Sequence, residues 1–507
     1  MSVGLSHLVI APVLLPLVAA IVHLFGRHLA YLWRRGFSLA VALGQIGLAA
    51  ALLQTASEGV ILTYALGNWP APYGIVLVAD RLSAWMLLVT ALLALFPLLD
   101  ASRGVDVSGR HFHILFHLQL FGLNGAFLTG DLFNLFVFFE VLLLASYGLM
   151  LHGGGRLRVR AGLHYVVLNL CGSALFLIAV GTLYGLFGTL NMADLARKMA
   201  AVTPENLGPA RAAGLLLFAV FALKAALLPL YLWLPAAYAR TSAPVAALFA
   251  IMTKVGAYSI LRVSTLLFGA QAGGMAHLIE PWLLPLALAT LVVGLLGALA
   301  ATALRGQVAY LVLASMGTLL TAFSLGSSAG IAAGLYYLPH SVFIAAALFL
   351  LADRIAQARG ELADRFEPGP AMVGAPWLGG LFFVSAILVA GLPPLSGFVG
   401  KFLLLRAALD HPAAYWIMTL VLGGGLLALI ALARSVSLLF MRTLPMAAGA
   451  PGVAGAIPAG LFPIVGLLTL SLALTLLAGP LHAIASATAE QLLQPYHYVH
   501  AVLGGAR

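Results

Sequence analysis

Apolar residues in this chain run in long blocks instead of alternating with polar ones. Each block of about 20 residues, enough to cross a bilayer, is closed by Gly, Pro or charge. The blocks fall near 5–25, 36–54, 81–99, 110–128, 132–152, 161–187, 211–235, 243–268, 277–302, 308–326, 329–352, 376–407, 414–440 and 457–478, which predicts fourteen transmembrane helices. Lipid offers no hydrogen-bond partners, so spans this apolar must be helical. The expected fold is therefore an all-α polytopic membrane protein. Residues 61–80 depart from the pattern: alternating residues and turn signals, ending in IVLVADR, predict a short exterior β-hairpin. The Ala/Gly/Pro-rich stretch 444–459 reads as a loop, and 480–507 as a tail without an assigned element. At the N-terminus the positive charges (Arg27, Arg34, Arg35) follow the first apolar block, the reverse of a cleaved signal peptide, so that block is expected to stay as a helix.

Composition agrees. The chain of 507 residues is 63% apolar and 8% charged, against roughly 25% charged for a soluble domain. Its net charge of +10 does not make it a nucleic-acid binder, because the arginines sit singly or in short clusters between apolar blocks. There they act as orientation signals. Loops after odd-numbered helices hold about fourteen of the Arg and Lys, and those after even-numbered helices about half as many, which predicts both termini outside. The single cysteine, Cys171, excludes a disulfide framework and a Cys-rich metal site, and reads as inert packing.

The chemistry lies in the charges inside the apolar blocks. Of 25 basic residues only four are Lys, and three of them, Lys224, Lys254 and Lys401, lie within helical segments. Arginine never gives up its proton, whereas a lysine removed from water can. A chain that keeps Arg for its surfaces and Lys for its interior is suited to moving protons. Among the 15 acidic residues Glu140 alone lies deep in a helix, about 13 Å from the segment start at 1.5 Å per residue. A carboxylate there needs a cation, and Lys224 is the expected partner. Proline breaks accompany two of the lysines: Pro229 and Pro235 after Lys224, and Pro393 and Pro394 before Lys401. They are expected to free the carbonyls of Ala225 and Tyr231, and of Val389 and Ala390. Broken helices at matching places in two halves point to inverted repeats with an ion path at the breaks. The repeats are expected at 110–268 and 277–440, after an N-terminal unit 1–109 and before a C-terminal part 441–507. Tyr258 lies one turn from Lys254 and could hydrogen-bond it. His340, mid-helix beside Pro339, is placed to relay between Lys254 and Lys401.

Other signals are weaker. His111, His113 and His117 form HxHxxxH, but no second pair offers opposite ligands, so no haem or metal site is expected. Gly153 to Gly155 lack the setting of a phosphate loop. No nucleotide signature or catalytic triad is present, no cofactor is expected, and the chain reads as a transporter and not as an enzyme.

Several runs carry a resemblance. GDLFNLFVFFEVLLLASYGL (Gly130 to Leu149), LKAALLPLYLWLPAAY (Leu223 to Tyr238), SAPVAALFAIMTKVGAYSILR (Ser242 to Arg262) and GLPPLSGFVGKF (Gly391 to Phe402) resemble the antiporter-like subunits of respiratory complex I. Most of all they resemble the D-subunit branch of the Mrp-type multisubunit monovalent cation/proton antiporters. His340 with Leu348-Phe349-Leu350 is similar to that family's eleventh helix, and Tyr231 stands where complex I members usually have His. Many relatives also carry a lysine near Ala345. The resemblance implies that Glu140 and Lys224 form a pair that modulates proton affinity, that Lys254 is a connecting lysine, His340 a relay, and Lys401 the terminal lysine. It further implies exchange of protons for Na⁺, Li⁺ or K⁺, assembly with other membrane subunits, and a bacterial cell membrane. Two other readings compete: a proton-pumping subunit of complex I or of a membrane-bound hydrogenase, and a haem- or quinone-holding electron carrier.

Overall fold

The computed structural model describes residues 3–370, 372–444 and 458–504. Twenty α-helices follow one another among them: α1 (Val3–Phe25), α2 (Tyr31–Ser57), α3 (Arg81–Ala101), α4 (Phe112–Leu128), α5 (Leu132–Leu151), α6 (Arg156–Phe187), α7 (Met192–Ala200), α8 (Pro204–Lys224), α9 (Trp233–Arg240), α10 (Ala243–Phe249), α11 (Met252–Leu266), α12 (Glu280–Ala300), α13 (Leu304–Ser324), α14 (Ser328–Arg359), α15 (Ala375–Ala390), α16 (Ser396–Ala407), α17 (Ala414–Val436), α18 (Phe462–Leu476), α19 (Ala478–Leu492) and α20 (Pro495–Leu503). Eleven spans are long and apolar enough to cross a membrane, one of them α10 with α11, or twelve if α18 and α19, bent by 78°, form one span. α4 and α15 are apolar but shorter. The count falls below the fourteen blocks because several blocks are interrupted: the block 376–407 is divided at 391–395 between α15 and α16.

Strands β1 (Leu62–Ala65) and β2 (Val76–Ala79) pair antiparallel, Leu62 opposite Ala79. β2 is buried throughout, and its Val76 carbonyl accepts from the Gly130 N–H at 2.8 Å. The hairpin thereby fastens the end of α4 to the start of α3. The stretch 480–507, left without an element from sequence, forms most of α19 and α20. These helices return to the hairpin side, where Arg81 donates to the Ala487 carbonyl at 2.9 Å and its backbone N–H to Gln491 at 3.1 Å. The predicted loop 444–459 lies almost wholly outside the described residues. Cys171 is exposed on the outer face of α6, so it is not interior packing.

The core runs along α14 and the α10–α11 pair, whose membrane-spanning lengths are buried from end to end. Exposed leucines, isoleucines and valines on α6, α12 and α17 cover the outside, as lipid demands. At the end of the bundle opposite the hairpin, arginines meet carboxylates. Arg35 grips Asp106 with two bonds of 2.7 and 2.8 Å, and Arg305 meets Asp353 at 2.5 Å.

Asp106, in the α3–α4 connection, carries a pH dependence. Burial pushes its carboxyl up, but hydrogen bonds from His113 and Arg35 outweigh this and bring it down to about 2. A depressed carboxyl stabilises the fold above its unfolded value of about 3.9 and loses that contribution as pH falls towards the folded value. Acidification from about pH 4 to about pH 2 should therefore loosen this end of the bundle. Trp33, whose ring lies 6.3 Å from His23, should report it by fluorescence. The step should be absent in Asp106→Asn.

Candidate functional site

Of the expected residues, Lys224 and Lys254 lie at helix breaks, Lys401 reaches the carbonyls of one, and Glu140 and His340 lie within unbroken helices. Asp131 caps α5, accepting from the Asn134 N–H at 2.8 Å, and this fixes where the helix starts and sets Glu140 halfway along it. Glu140 is partly buried and accepts a short hydrogen bond from the Ser173 hydroxyl of α6. One turn earlier Asn169 presents its carbonyl and its side-chain Oδ1 to the Lys224 ammonium, both at 3.3 Å. Ser173 Oγ also lies 3.1 Å from the Asn169 carbonyl, a second acceptor within reach of its one proton. Glu140 and Lys224 therefore make no direct ion pair among the described residues. The Ser173 hydroxyl and the Asn169 backbone carbonyl of α6 stand between them.

Lys224 is the last residue of α8, and the chain stays irregular until Trp233. The break begins at Ala225, four residues before Pro229. Its freed Leu223 carbonyl is taken by the Trp233 indole N–H at 3.0 Å, and the Leu228 N–H donates to Thr290 at 2.9 Å. Pro235 lies in the first turn of α9, where a missing N–H costs nothing. It is not a break, and the Tyr231 carbonyl it was expected to free accepts from the Leu234 N–H at 3.0 Å. The Tyr231 hydroxyl does not reach Lys224, whose acceptors are both on Asn169. Gly256 of α11 packs against this unwound backbone: a Cβ there would lie 2.4 Å from the Ala225 nitrogen. That close approach brings the Lys224 break beside the helix of Lys254.

Lys254 occupies the first turn of α11, after the α10–α11 interruption, and is 0% exposed. Its ammonium donates to the Ser315 hydroxyl of α13 at 3.2 Å. Tyr258 is not its partner. That hydroxyl donates to the Phe127 carbonyl at 2.7 Å, because the ring is held between Phe127 and Arg262. Ser315 borders a cavity of about 50 Å³, also lined by Thr318, Tyr337, His340, Ser341 and Lys401. The rest of its lining is apolar, and its volume has room for a few waters at about 15 Å³ each. His340 points its Nδ1 to the Ser396 hydroxyl at 2.9 Å.

At the second break Pro393 and Pro394 lie between α15 and α16. The carbonyls of Val389 and Ala390, which they were expected to free, accept from the Lys401 ammonium at 3.2 and 2.8 Å. Gly391 takes φ +78°, and a Cβ there would meet the Lys401 chain at 2.8 Å. Gly397 is tighter still, with a Cβ at 2.1 Å from the Leu388 carbonyl oxygen and 2.9 Å from His340 Nε2. Gly397→Ala should lower stability by about 1–3 kcal/mol through overpacking. A melting curve of the purified protein checks this, with Gly306→Ala, in open space, as the control.

Sequence reasoning named the ionisable groups and missed the hydroxyls and amide that connect them: Asn169, Ser173, Ser315 and Ser396. The one available signal was spacing, since Asn169 and Ser173 stand four apart in an apolar block and so share a helix face.

Comparison with known proteins identifies the family. Residues 129–428 match the family model described as NADH:quinone oxidoreductase/Mrp antiporter, TM. The chain is 41% identical to the D-type subunit of a probable K⁺/H⁺ antiporter of Rhizobium meliloti, over 100% of this chain and 99% of that one. It is 38% identical to the D-type subunit of the Na⁺/H⁺ antiporter of Bacillus subtilis, over 98% and 100%. Among solved structures it superposes on a chain of the Mrp complex from Dietzia sp. with a TM-score of 0.87 and 30% identity, covering 99% of this chain and 100% of that one. The breaks, the buried lysines and these matches lead to one conclusion: the chain belongs to the NADH:quinone oxidoreductase/Mrp antiporter family of membrane subunits.

Proposed function

We propose that this chain is the proton-translocating subunit of a multisubunit Na⁺(Li⁺/K⁺)/H⁺ antiporter in a bacterial cell membrane. The observation that carries the reading is the polar row through an apolar bundle. It has two parts, Glu140, Ser173, Asn169 and Lys224 in one, and Lys254, Ser315 and the cavity with His340 and Lys401 in the other, and the backbone contact at Gly256 separates them. The Glu140 carboxylate holds the proton of Lys224 through the α6 bridge. When the two move apart, Lys224 gives its proton up along the row. Separating a buried ammonium from its carboxylate leaves its charge uncompensated, which favours release of the proton.

In this reading the chain makes fourteen passes, counting α4, the α15–α16 pair and the bent α18–α19 pair as one each. Two inverted five-helix units, 110–268 and 277–440, each hold a broken helix beside a lysine. The arginine-rich end faces the cytoplasm, so both termini lie outside. Acidic groups deep in the bundle are too few for a sodium cage, which puts part of the cation path in partner subunits. The outer face of α5 offers a meeting place for one. Phe133, Val137 and Leu144, on the same face as Glu140, are all exposed.

The test is exchange by the complete complex in an antiporter-deficient host. Everted vesicles should dissipate a respiration-driven pH gradient when Na⁺ or K⁺ is added, and Lys254→Met should stop this with assembly intact. Vesicles that hold their gradient under every cation would overturn the reading.

A further inference from the structure

A second polar cluster lies in the N-terminal unit, outside the row above. His23 of α1, Ser38 of α2 and His113 and His117 of α4 are each 0% exposed. All three imidazoles converge on the one hydroxyl: Ser38 Oγ lies 2.8 Å from His23 Nε2, 2.9 Å from His113 Nδ1 and 3.1 Å from His117 Nε2. The other nitrogen of His113 meets Asp106 at 3.3 Å, and Asp106 is held by Arg35.

Hydrogen-bond valence fixes the protons. Asp106, paired with Arg35, accepts only, so His113 carries its proton on Nε2 and offers a lone pair at Nδ1. Ser38 must then donate to His113. A hydroxyl has one proton to give and accepts two, so His23 and His117 both donate through Nε2. Their Nδ1 atoms are left as bare lone pairs, and both are buried without a hydrogen-bond partner among the described residues. The charged or titratable groups around the cluster are Arg34 and Arg35 on α2, Asp106, and His152 and Arg158 beside the α3–α4 connection.

We propose that this cluster is a second proton relay, which carries protons from the buried imidazoles of His23 and His117 to Asp106 at the arginine-rich end. A proton arriving at His117 Nδ1 forms an N–H bond there, and the Nε2–H proton passes to Ser38 Oγ. The Ser38 proton moves to His113 Nδ1, and the His113 Nε2–H proton passes to the Asp106 carboxylate, which is itself buried but bonded to the part-exposed Arg35. Each step breaks one bond to hydrogen and forms one. His23 can take the place of His117. With the protons so fixed, transfer runs towards Asp106, the inward direction under the proposed orientation.

The inference rests on the antiport reading, and one assay separates the two. In everted vesicles of the complete complex, Ser38→Ala should slow cation-driven proton exchange about tenfold or more, within the range a positioned proton-transfer group supplies. Ser38→Thr, which keeps the hydroxyl, should stay within about twofold of wild type. Asp106→Ala should be slow and should recover in concentrated membrane-impermeant sulfonate buffer, a substitute proton acceptor; a cluster that only packs the helices would not respond. Wild-type rates in Ser38→Ala, with Lys224→Met inactive in the same vesicles, would overturn the relay and leave the antiport reading standing. So would an Asp106→Ala defect that the buffer does not relieve. A wild-type complex without cation-dependent exchange would overturn both.

Discussion

Glu140→Ala and Lys224→Ala should each reduce cation-dependent exchange to the background of vesicles lacking the complex. The double variant should be no worse than either single one, because groups that act as a unit are not additive. Removing Glu140 leaves the Lys224 ammonium 7% exposed with only the neutral Asn169 to accept from it. Removing Lys224 leaves a carboxylate at mid-helix with one hydroxyl donor. The bridge gives the prediction a graded form. Ser173→Ala interrupts the row but keeps both charges, so it should slow exchange without abolishing it, and Asn169→Ala, which removes one Lys224 acceptor but keeps the backbone carbonyl, should slow it less. Rates in vesicles, normalised to the amount of assembled complex on a blot, distinguish these outcomes.

Breaking the Asp80–Arg262 pair should have the largest effect on stability. The two side chains make bonds of 2.5 and 2.7 Å between the start of α3 and α11, both buried. The guanidinium also lies 5.3 Å from the Tyr498 ring of α20, which ties the C-terminal helices to the same point. Removing one partner strands the other charge in the interior, at about 3–5 kcal/mol. Asp80→Asn or Arg262→Gln should therefore lower the melting temperature of the detergent-purified protein more than any substitution on the lipid-facing side. The joint replacement Asp80→Leu with Arg262→Met should be milder than either, because no lone charge remains.

The bilayer made much of the architecture readable from sequence. A solvent without hydrogen-bond partners allows only helices where apolar residues persist, so the apolar blocks located most spans to within a few residues. Pro393 and Pro394 could be read because a proline deletes a known donor, and the carbonyls they free are those that hold Lys401. Contacts between helices were less accessible. Spacing of i to i+4 relates residues on one helix only, which led to Tyr258 as the partner of Lys254 when the partner is Ser315 on another helix. Asn169 and Ser173 carry no charge and scarcely disturb an apolar block, so the bridge between Glu140 and Lys224 left almost no trace. The Ser38 cluster could not be read from HxHxxxH because its third imidazole, His23, comes from α1. The helices after residue 477 escaped notice because half-exposed turns with small and polar residues match neither a span nor a soluble amphipathic helix.

Replacing lysine by arginine tests most directly whether the buried ammonium groups hand protons on. Arginine keeps the positive charge and its hydrogen bonds but does not deprotonate. The account expects Lys224→Arg and Lys401→Arg complexes to assemble normally and to be as inactive in vesicle exchange as Lys224→Met and Lys401→Met. Exchange at the wild-type rate in either arginine variant would contradict it, since a fixed charge would then be enough.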